Sequence, residues 1–272
     1  MTIPFMNTEL AQRLIAAERD CYVDWVRAMQ AQPDNPFGIA IQTFGQATAI
    51  VCSRVPAEIW NRVFNFTPDD LALLPEIIAF YQQHNAQILL DLNPYTTPPF
   101  WEEPHMTVVL ARQYGMFQAA FHQMLYGVPT QDVPPTPEHI VIKEVGAAEI
   151  SDFERTYETV WGNGNEISVL VGQPNFRNYL AYIEDQPVAL GVVHIKNGMA
   201  SMANALTAPA MRGKGCQTAL LYHRIKQAAI ENCELLVSQC RPGSTSQNNQ
   251  LRAGFHVAGT KAWWLLQSNV TV

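Results

Sequence analysis

Charge is scarce in this chain. Only 15% of its 272 residues are Asp, Glu, Lys or Arg, and the balance leaves a net charge of −7. That excludes the basic footprint that holds nucleic acid. An acidic surface favours cationic small molecules or peptides and otherwise keeps a protein in solution. No apolar run reaches the roughly 20 residues that cross a bilayer. The segment Met1-Thr2-Ile3-Pro4-Phe5 lacks the basic region and apolar core of a secretory signal. The five cysteines (Cys21, Cys52, Cys216, Cys233 and Cys240) form no close-spaced framework, and no Cys or His pair has zinc-finger spacing. The sequence therefore predicts free thiols, no metal and a cytoplasmic location. What is abundant is apolar: 48% hydrophobic and 10% aromatic residues argue for sizeable buried cores and against disorder.

Gly127-Val128-Pro129-Thr130-Gln131-Asp132-Val133-Pro134-Pro135-Thr136-Pro137 places four prolines in eleven residues. Such a run joins neither a helix nor a central strand, so it reads as an extended linker. It divides the chain into an N-terminal half, 1–127, and a C-terminal half, 138–272, joined by 128–137. Asn7–Gln32 reads as a helix, with Leu10, Leu14, Ala17, Cys21, Trp25 and Ala28 recurring every three or four residues. Further expected elements of this half are a hairpin around Phe44-Gly45-Gln46, helices over 68–85 and 101–113, and strands over 88–92 and 117–126. The C-terminal half reads as a helix over 147–160 and strands over 179–184, 188–195 and 200–207, with turns at Asp185-Gln186-Pro187 and Lys196-Asn197-Gly198. A helix to about Cys233, a strand over 234–239, a short helix over 244–253 and a last strand over 255–267 follow. The predicted class is α/β (α+β), a mixed, mostly antiparallel sheet flanked by helices. Both halves share a rough element order and a late Gly-apolar pair, Gly115-Met116 and Gly254-Phe255, which fits either a duplication or two unrelated α/β halves.

Met211-Arg212-Gly213-Lys214-Gly215-Cys216-Gln217-Thr218 stands where a strand-like run gives way to an amphipathic helix. The first turn of a helix leaves about four N–H groups unpaired, and the macrodipole adds roughly half a positive charge there. Gly213 and Gly215 remove side chains that would keep a ligand from the backbone. The dipole disfavours cations at this end, so Arg212 and Lys214 make sense where an anion is expected. Together they suit a pyrophosphate. The segment is neither a P-loop, whose glycines are spaced more widely, nor the dinucleotide fingerprint, because Thr218 stands where the third glycine belongs.

The run from Leu206 to Leu221 resembles the acyl-CoA binding motif of the GNAT superfamily of N-acyltransferases, Arg/Gln-x-x-Gly-x-Gly/Ala after a strand and a proline. Arg212 and Gly215 match its first and fourth positions; Gln217 departs at the sixth. Arg241 to Phe255 resembles the family's next strand end and helix, with its terminal Gly-Phe. The resemblance covers residues 140–267 and reaches the N-terminal half as an echo, where no Arg-x-x-Gly-x-Gly follows a strand. It implies a splay between the strands ending near Thr207 and Ser238. Pantetheine would lie against Leu206, Thr207 and Ala208, and the pyrophosphate on Arg212, Gly213, Lys214, Gly215, Cys216, Gln217 and Thr218. The family's usual thiolate acid, a Tyr, corresponds to Gln250, a poor acid.

Ser244, Ser246 or water could substitute for that acid. Glu158 and Glu166 flank Trp161-Gly162-Asn163-Gly164-Asn165, the stretch matching the family's acceptor-side loop, and either could steer or deprotonate an amine. Cys216 reads as a small residue under the loop rather than a nucleophile, and His194 as a strand residue rather than a base. Trp101 with Glu102-Glu103 reads as helix capping. Trp263-Trp264 reads as a final strand with one ring buried. The resemblance implies an N-acetyltransferase passing an acetyl (acyl) group from acetyl-CoA to a primary amine on a small molecule or peptide, as a monomer or homodimer, with neither nucleic acid nor membrane as partner. The alternatives are a non-catalytic CoA-binding or regulatory protein and a binding module that has lost the cofactor.

Overall fold

The computed structural model of the chain describes residues 3–55, 58–93, 95–96 and 106–266. They form two compact units, and neither is a continuous stretch. The N-terminal unit joins Met6–Met124 to Ala258–Val272, and the C-terminal unit joins Met1–Phe5 to Leu125–Val257.

In the N-terminal unit, α1 (Thr8–Gln30) opens at Asn7, whose side chain accepts the Leu10 N–H at 2.8 Å. Its buried face carries the stripe from Leu10 to Ala28 that the periodicity marks. β1 (Ile39–Phe44) and β2 (Ala47–Cys52) pair antiparallel around Gly45-Gln46, with Phe44 opposite Ala47. β3 (Arg62–Phe64) follows on β2, three residues too short for an alternating pattern to betray. The helix expected from Pro68 begins as a 3-10 turn, Pro68–Leu73, before α2 (Leu74–Gln83). β4 (Leu89–Leu92) runs parallel to β3. α3 (Met106–Tyr114) and β5 (Met116–Gly127) come next. The expected start of α3 at Trp101, with Glu102 and Glu103, lies outside the described residues.

In the C-terminal unit, an edge strand the sequence reading missed, β6 (Val141–Glu144), precedes α4 (Ile150–Glu158) and the one-turn α5 (Asn165–Ser168). β7 (Phe176–Ile183), β8 (Gln186–Lys196) and β9 (Met199–Thr207) form an antiparallel meander. The β7–β8 turn is Glu184-Asp185, both at positive φ, a residue earlier than expected. Pro187 consequently lies within β8, opposite Tyr182 where the register slips. α6 (Cys216–Ile230), β10 (Leu235–Cys240), α7 (Thr245–Arg252) and β11 (His256–Leu266) complete the order. Core residues of this unit include Leu220, Ile225, Leu236 and Phe255.

The strand order is β1-β2-β3-β4-β11-β5 in the N-terminal unit, and β6-β7-β8-β9-β10 in the C-terminal unit, with the end of β5 beside β10. The last strand therefore does not close the C-terminal half as the boundary at 138–272 supposes. Beyond Val257 it pairs antiparallel with β4, placing Ala262 opposite Leu92 and Trp264 opposite Leu90. Trp264 joins the N-terminal core with Ile77 and Leu90. Prolines show where a chain is extended; they do not show which sheet a later strand joins. Residues 128–137 are irregular, and the partly buried Val133 packs on the C-terminal core. The unit boundaries fall inside β5 and β11 instead.

Each unit repeats one pattern: an antiparallel meander, a helical crossover, then a parallel strand, β3–α2–β4 in one and β9–α6–β10 in the other. In each, the helix that follows this parallel strand ends at a left-handed glycine, Gly115 at φ +63° after α3 and Gly254 at φ +89° after α7.

Candidate functional site

β9 and β10 are paired only at Leu235–Met199, Leu236–Ala200 and Val237–Ser201. Beyond these the strands separate, which is the splay that the motif implies between Thr207 and Ser238. On its β8 side β9 carries a bulge: Val192 faces Asn204 but His194 faces Ser201, leaving an extra residue at Met202–Ala203. A bulge re-aims side chains and frees ladder groups. Both residues line a cavity of about 220 Å³, together with Gln217, Arg224, Ser238 and Gln250.

The glycine segment lies beside this cavity. After β9 the chain makes a 3-10 turn, Pro209–Met211, and reaches Cys216 through Gly213 at φ +81° and Gly215 at φ +87°. Both glycines need the left-handed conformation. A Cβ at Gly213 would meet nothing within 4 Å, and one at Gly215 only the Ile140 Cδ1 at 3.8 Å, so the backbone is open to approach. Arg212, Gly213, Lys214 and Gly215 are exposed, as is Thr218, while Cys216 is buried. Neither Arg212 nor Lys214 pairs with a carboxylate among the described residues; the Lys214 Nζ reaches only the Met211 Sδ, at 3.8 Å. A basic helix start neutralised from within is thereby ruled out. The strand end is less available: Ala208 gives its N–H to the Val188 carbonyl at 2.9 Å and accepts from Met211 at 2.8 Å. Leu206 is buried, and the Thr207 Oγ1 is buried without a hydrogen-bond partner.

Cys216 is 1% exposed, and burial pushes its thiol up, outweighing its own N–H and Lys214, which act to lower it. All five thiols are buried and free. A thiol-specific chromogenic reagent should therefore read almost no fast-reacting thiol in the native protein and five after denaturation. A single fast thiol at residue 216 would overturn this.

The cavity holds polar atoms in want of partners. The Oε1 atoms of Gln217 and Gln250 are buried and unbonded. The other end of the Gln250 amide donates to the Ser246 Oγ at 3.0 Å, so Ser246 and the residue in the acid's place face the cavity as one pair. Glu158 and Glu166 do not line it. The Glu158 Oε1 accepts the Gly164 N–H at 3.2 Å and ties the loop. Glu166 is 5% exposed and accepts the Tyr157 hydroxyl at 3.2 Å; burial first, and this carboxylate second, push the Tyr157 hydroxyl up. His194 is buried against the Phe176 ring.

Sequence reasoning missed Arg224. It is 2% exposed on the inner face of α6. Its Nε donates to the Leu220 carbonyl at 3.1 Å, and its Nη1 to the carbonyls of Val192 at 3.0 Å and Asn204 at 3.2 Å, where the bulge begins. Gly191 makes room for it, since a Cβ there would stand 3.0 Å from Nε. Burial lowers its pKa to about 10, which leaves it charged at neutral pH. The available signal was an arginine set between Leu220, Leu221 and Ile225 on an apolar helix face.

The equivalent crossover of the N-terminal unit is sealed. Asp70, 2% exposed, accepts the Gln46 N–H on Oδ1, and the Thr67 N–H and hydroxyl on Oδ2, each at 2.9 Å. A carboxylate thus occupies the start of that helical segment. Among the described residues, no group of three or more His, Cys, Asp or Glu side chains could hold a metal, and no helix is long and apolar enough to cross a membrane.

No family model matches the chain, and no curated protein does. Solved structures do. A GCN5-related N-acetyltransferase from Kribbella flavida is 15% identical with a TM-score of 0.68, over 93% of this chain and 96% of that one. A GCN5-related N-acetyltransferase from Sphaerobacter thermophilus is 13% identical with a TM-score of 0.59, over 96% and 93%. A tandem GNAT protein from the clavulanic acid biosynthesis pathway is 12% identical with a TM-score of 0.61, over 94% and 98%. These likenesses extend over nearly the whole chain, both units included. The chain has the GNAT superfamily fold, a mixed, mostly antiparallel α/β architecture flanked by helices, in two tandem halves.

Proposed function

We infer that the C-terminal unit binds an acyl-CoA and passes its acyl group, acetyl in the simplest case, to a primary amine. The observation that carries this reading is the β9–β10 splay. It joins an open, cationic helix start to a cavity lined by unpaired amide oxygens. The pyrophosphate suits the N–H groups of residues 213–218 with Arg212 and Lys214. Pantetheine carries two amide N–H groups, the donors that the orphaned oxygens of Gln217 and Gln250 call for. Leu206 and Thr207 border its path. Ala208, with both backbone groups engaged, shapes the turn.

The chemistry needs proximity above all. The amine nitrogen attacks the thioester carbon, a C–N bond forms and the C–S bond breaks. The amine proton leaves to a base or water, and the thiolate departs and is protonated. N–H groups freed at the Met202–Ala203 bulge suit the oxygen on which charge develops. Ser246, held by Gln250, is the hydroxyl placed to protonate the thiolate through water. Glu158 and Glu166 serve the acceptor-side loop as structural ties. The N-terminal unit, with Asp70 in the anion's place, does not bind CoA.

A second reading, a non-catalytic CoA-binding protein, is favoured by the amide of Gln250 where the family has a phenol. Release of free CoA from acetyl-CoA with a panel of polyamines, amino acids, aminoglycosides and peptide N-termini separates the two. Amine-dependent release supports the transferase. Binding by calorimetry without turnover supports the second reading, and absence of binding overturns both.

A further inference from the structure

Among the described residues no carboxylate pairs with the buried guanidinium of Arg224, and the Tyr179 phenol is the group that acts against burial to raise its pKa. The recorded bonds of Arg224 use Nε and Nη1, all to carbonyls; Nη2 bonds nothing among the described residues. The side chain of Ser238, on β10 and 5% exposed, likewise makes no hydrogen bond among the described residues. Both side chains line the cavity that contains the splay. Carbonyl dipoles solvate a guanidinium but do not neutralise it, and a buried ion is favourable only with a partner ion and satisfied hydrogen bonds. Gly191 leaves room for this guanidinium: a Cβ there would crowd its Nε at 3.0 Å and Cζ at 3.3 Å.

The position along α6 says which ligand group arrives. Arg224 lies eight residues beyond Cys216, about 12 Å down the helix axis at the usual rise. An arm anchored by phosphate at the helix start and running along the splay passes Gln217 and brings its far end to Arg224. Resting on the reading of the site as one for acyl-CoA, we propose that the preferred acyl donor is the CoA thioester of a dicarboxylic acid. The free carboxylate of its acyl group accepts from the Arg224 Nη2 and the Ser238 hydroxyl. The neighbouring amides of Asn249 and Gln250 have the N–H groups for its remaining lone pairs.

Succinyl-CoA and butyryl-CoA test this, because their acyl groups have equal length and differ by one carboxylate. In calorimetric titration of the full chain, succinyl-CoA should bind roughly tenfold to a hundredfold more tightly, the range expected for a charge-assisted hydrogen bond. Arg224→Met should bring the ratio of the two affinities close to one, and Ser238→Ala should reduce it several-fold. Should Arg224→Met fail to fold, the wild-type ratio and Ser238→Ala still decide. Equal affinities in the wild type, with free CoA bound, overturn the proposal and leave the acyl-CoA reading standing; that is also the result if an amine acceptor brings the carboxylate. Failure of both thioesters and of free CoA to bind overturns the acyl-CoA reading itself.

Discussion

Lys261→Met should lower the stability of the protein by about 3–5 kcal/mol, the usual consequence of leaving a buried charge unpaired. The Lys261 Nζ stands 2.7 and 2.6 Å from the two Glu18 carboxylate oxygens and 2.8 Å from the Asp91 Oδ2. The Arg62 Nη2 lies 2.9 Å from Asp91 and 3.4 Å from Glu18. Two buried carboxylates thus face two buried cations, and methionine leaves a net negative charge in the core. Thermal unfolding should shift down on the order of 10 °C. The pH dependence gives a second readout. Burial raises the Glu18 carboxyl even now, against the lowering pull of Lys261. At Asp91 burial also acts upward, but Lys261 and Arg62 overcome it and hold that carboxyl low. Without the ammonium both rise, so the folded variant binds protons that the unfolded chain releases. Stability then falls as pH climbs from about 4, and the deficit against wild type should be smaller at pH 5 than at pH 8. A variant as stable as wild type at pH 8 would contradict the network's role.

Gly215→Glu should abolish acetyl-CoA binding, an effect of at least a hundredfold, about 2.7 kcal/mol. Two causes act together. At φ +87° any side chain is strained, on the order of 1 kcal/mol. The carboxylate also occupies the open face of the helix start and opposes the anion. Gly215→Ala separates them, since it carries the strain without the charge and should bind measurably more weakly than wild type but far better than the glutamate. Calorimetry with acetyl-CoA on both variants, with circular dichroism to show each folded, is the measurement. Retained affinity in Gly215→Glu would move the site elsewhere.

The parts of the fold legible in the sequence are those fixed by neighbours in the chain. The stripe of α1 and the turns at Gly45-Gln46 and Asn197-Gly198 need only local periodicity and φ preference, and the structure has them in place. The helix start at Gly215 was legible for the same reason, because Gly-x-Gly with two cations carries its meaning within a few residues. What escaped reading depends on distant partners. β11 shows a strand pattern, but its sheet is chosen by Lys261 meeting Glu18, 243 residues away. Arg224 is one polar residue on an apolar face until Val192 and Asn204 bring carbonyls to it. Glu166, a candidate base on the page of the sequence, is committed to a buried tyrosine in the fold.

The placing of β11 fixes an order of events during synthesis. That strand lies between β4 and β5, inside the sheet of the N-terminal unit, yet all of it beyond Val257 is made after the residues of the C-terminal unit. Every residue of the C-terminal unit has been made by Val257, before the N-terminal unit receives the strand that fills its sheet. The half translated first is therefore the half finished last. A ribosome stalled near residue 257 would hold out a nascent chain with the edges of β4 and β5 bare, a substrate for chaperones and a template for unwanted strand pairing.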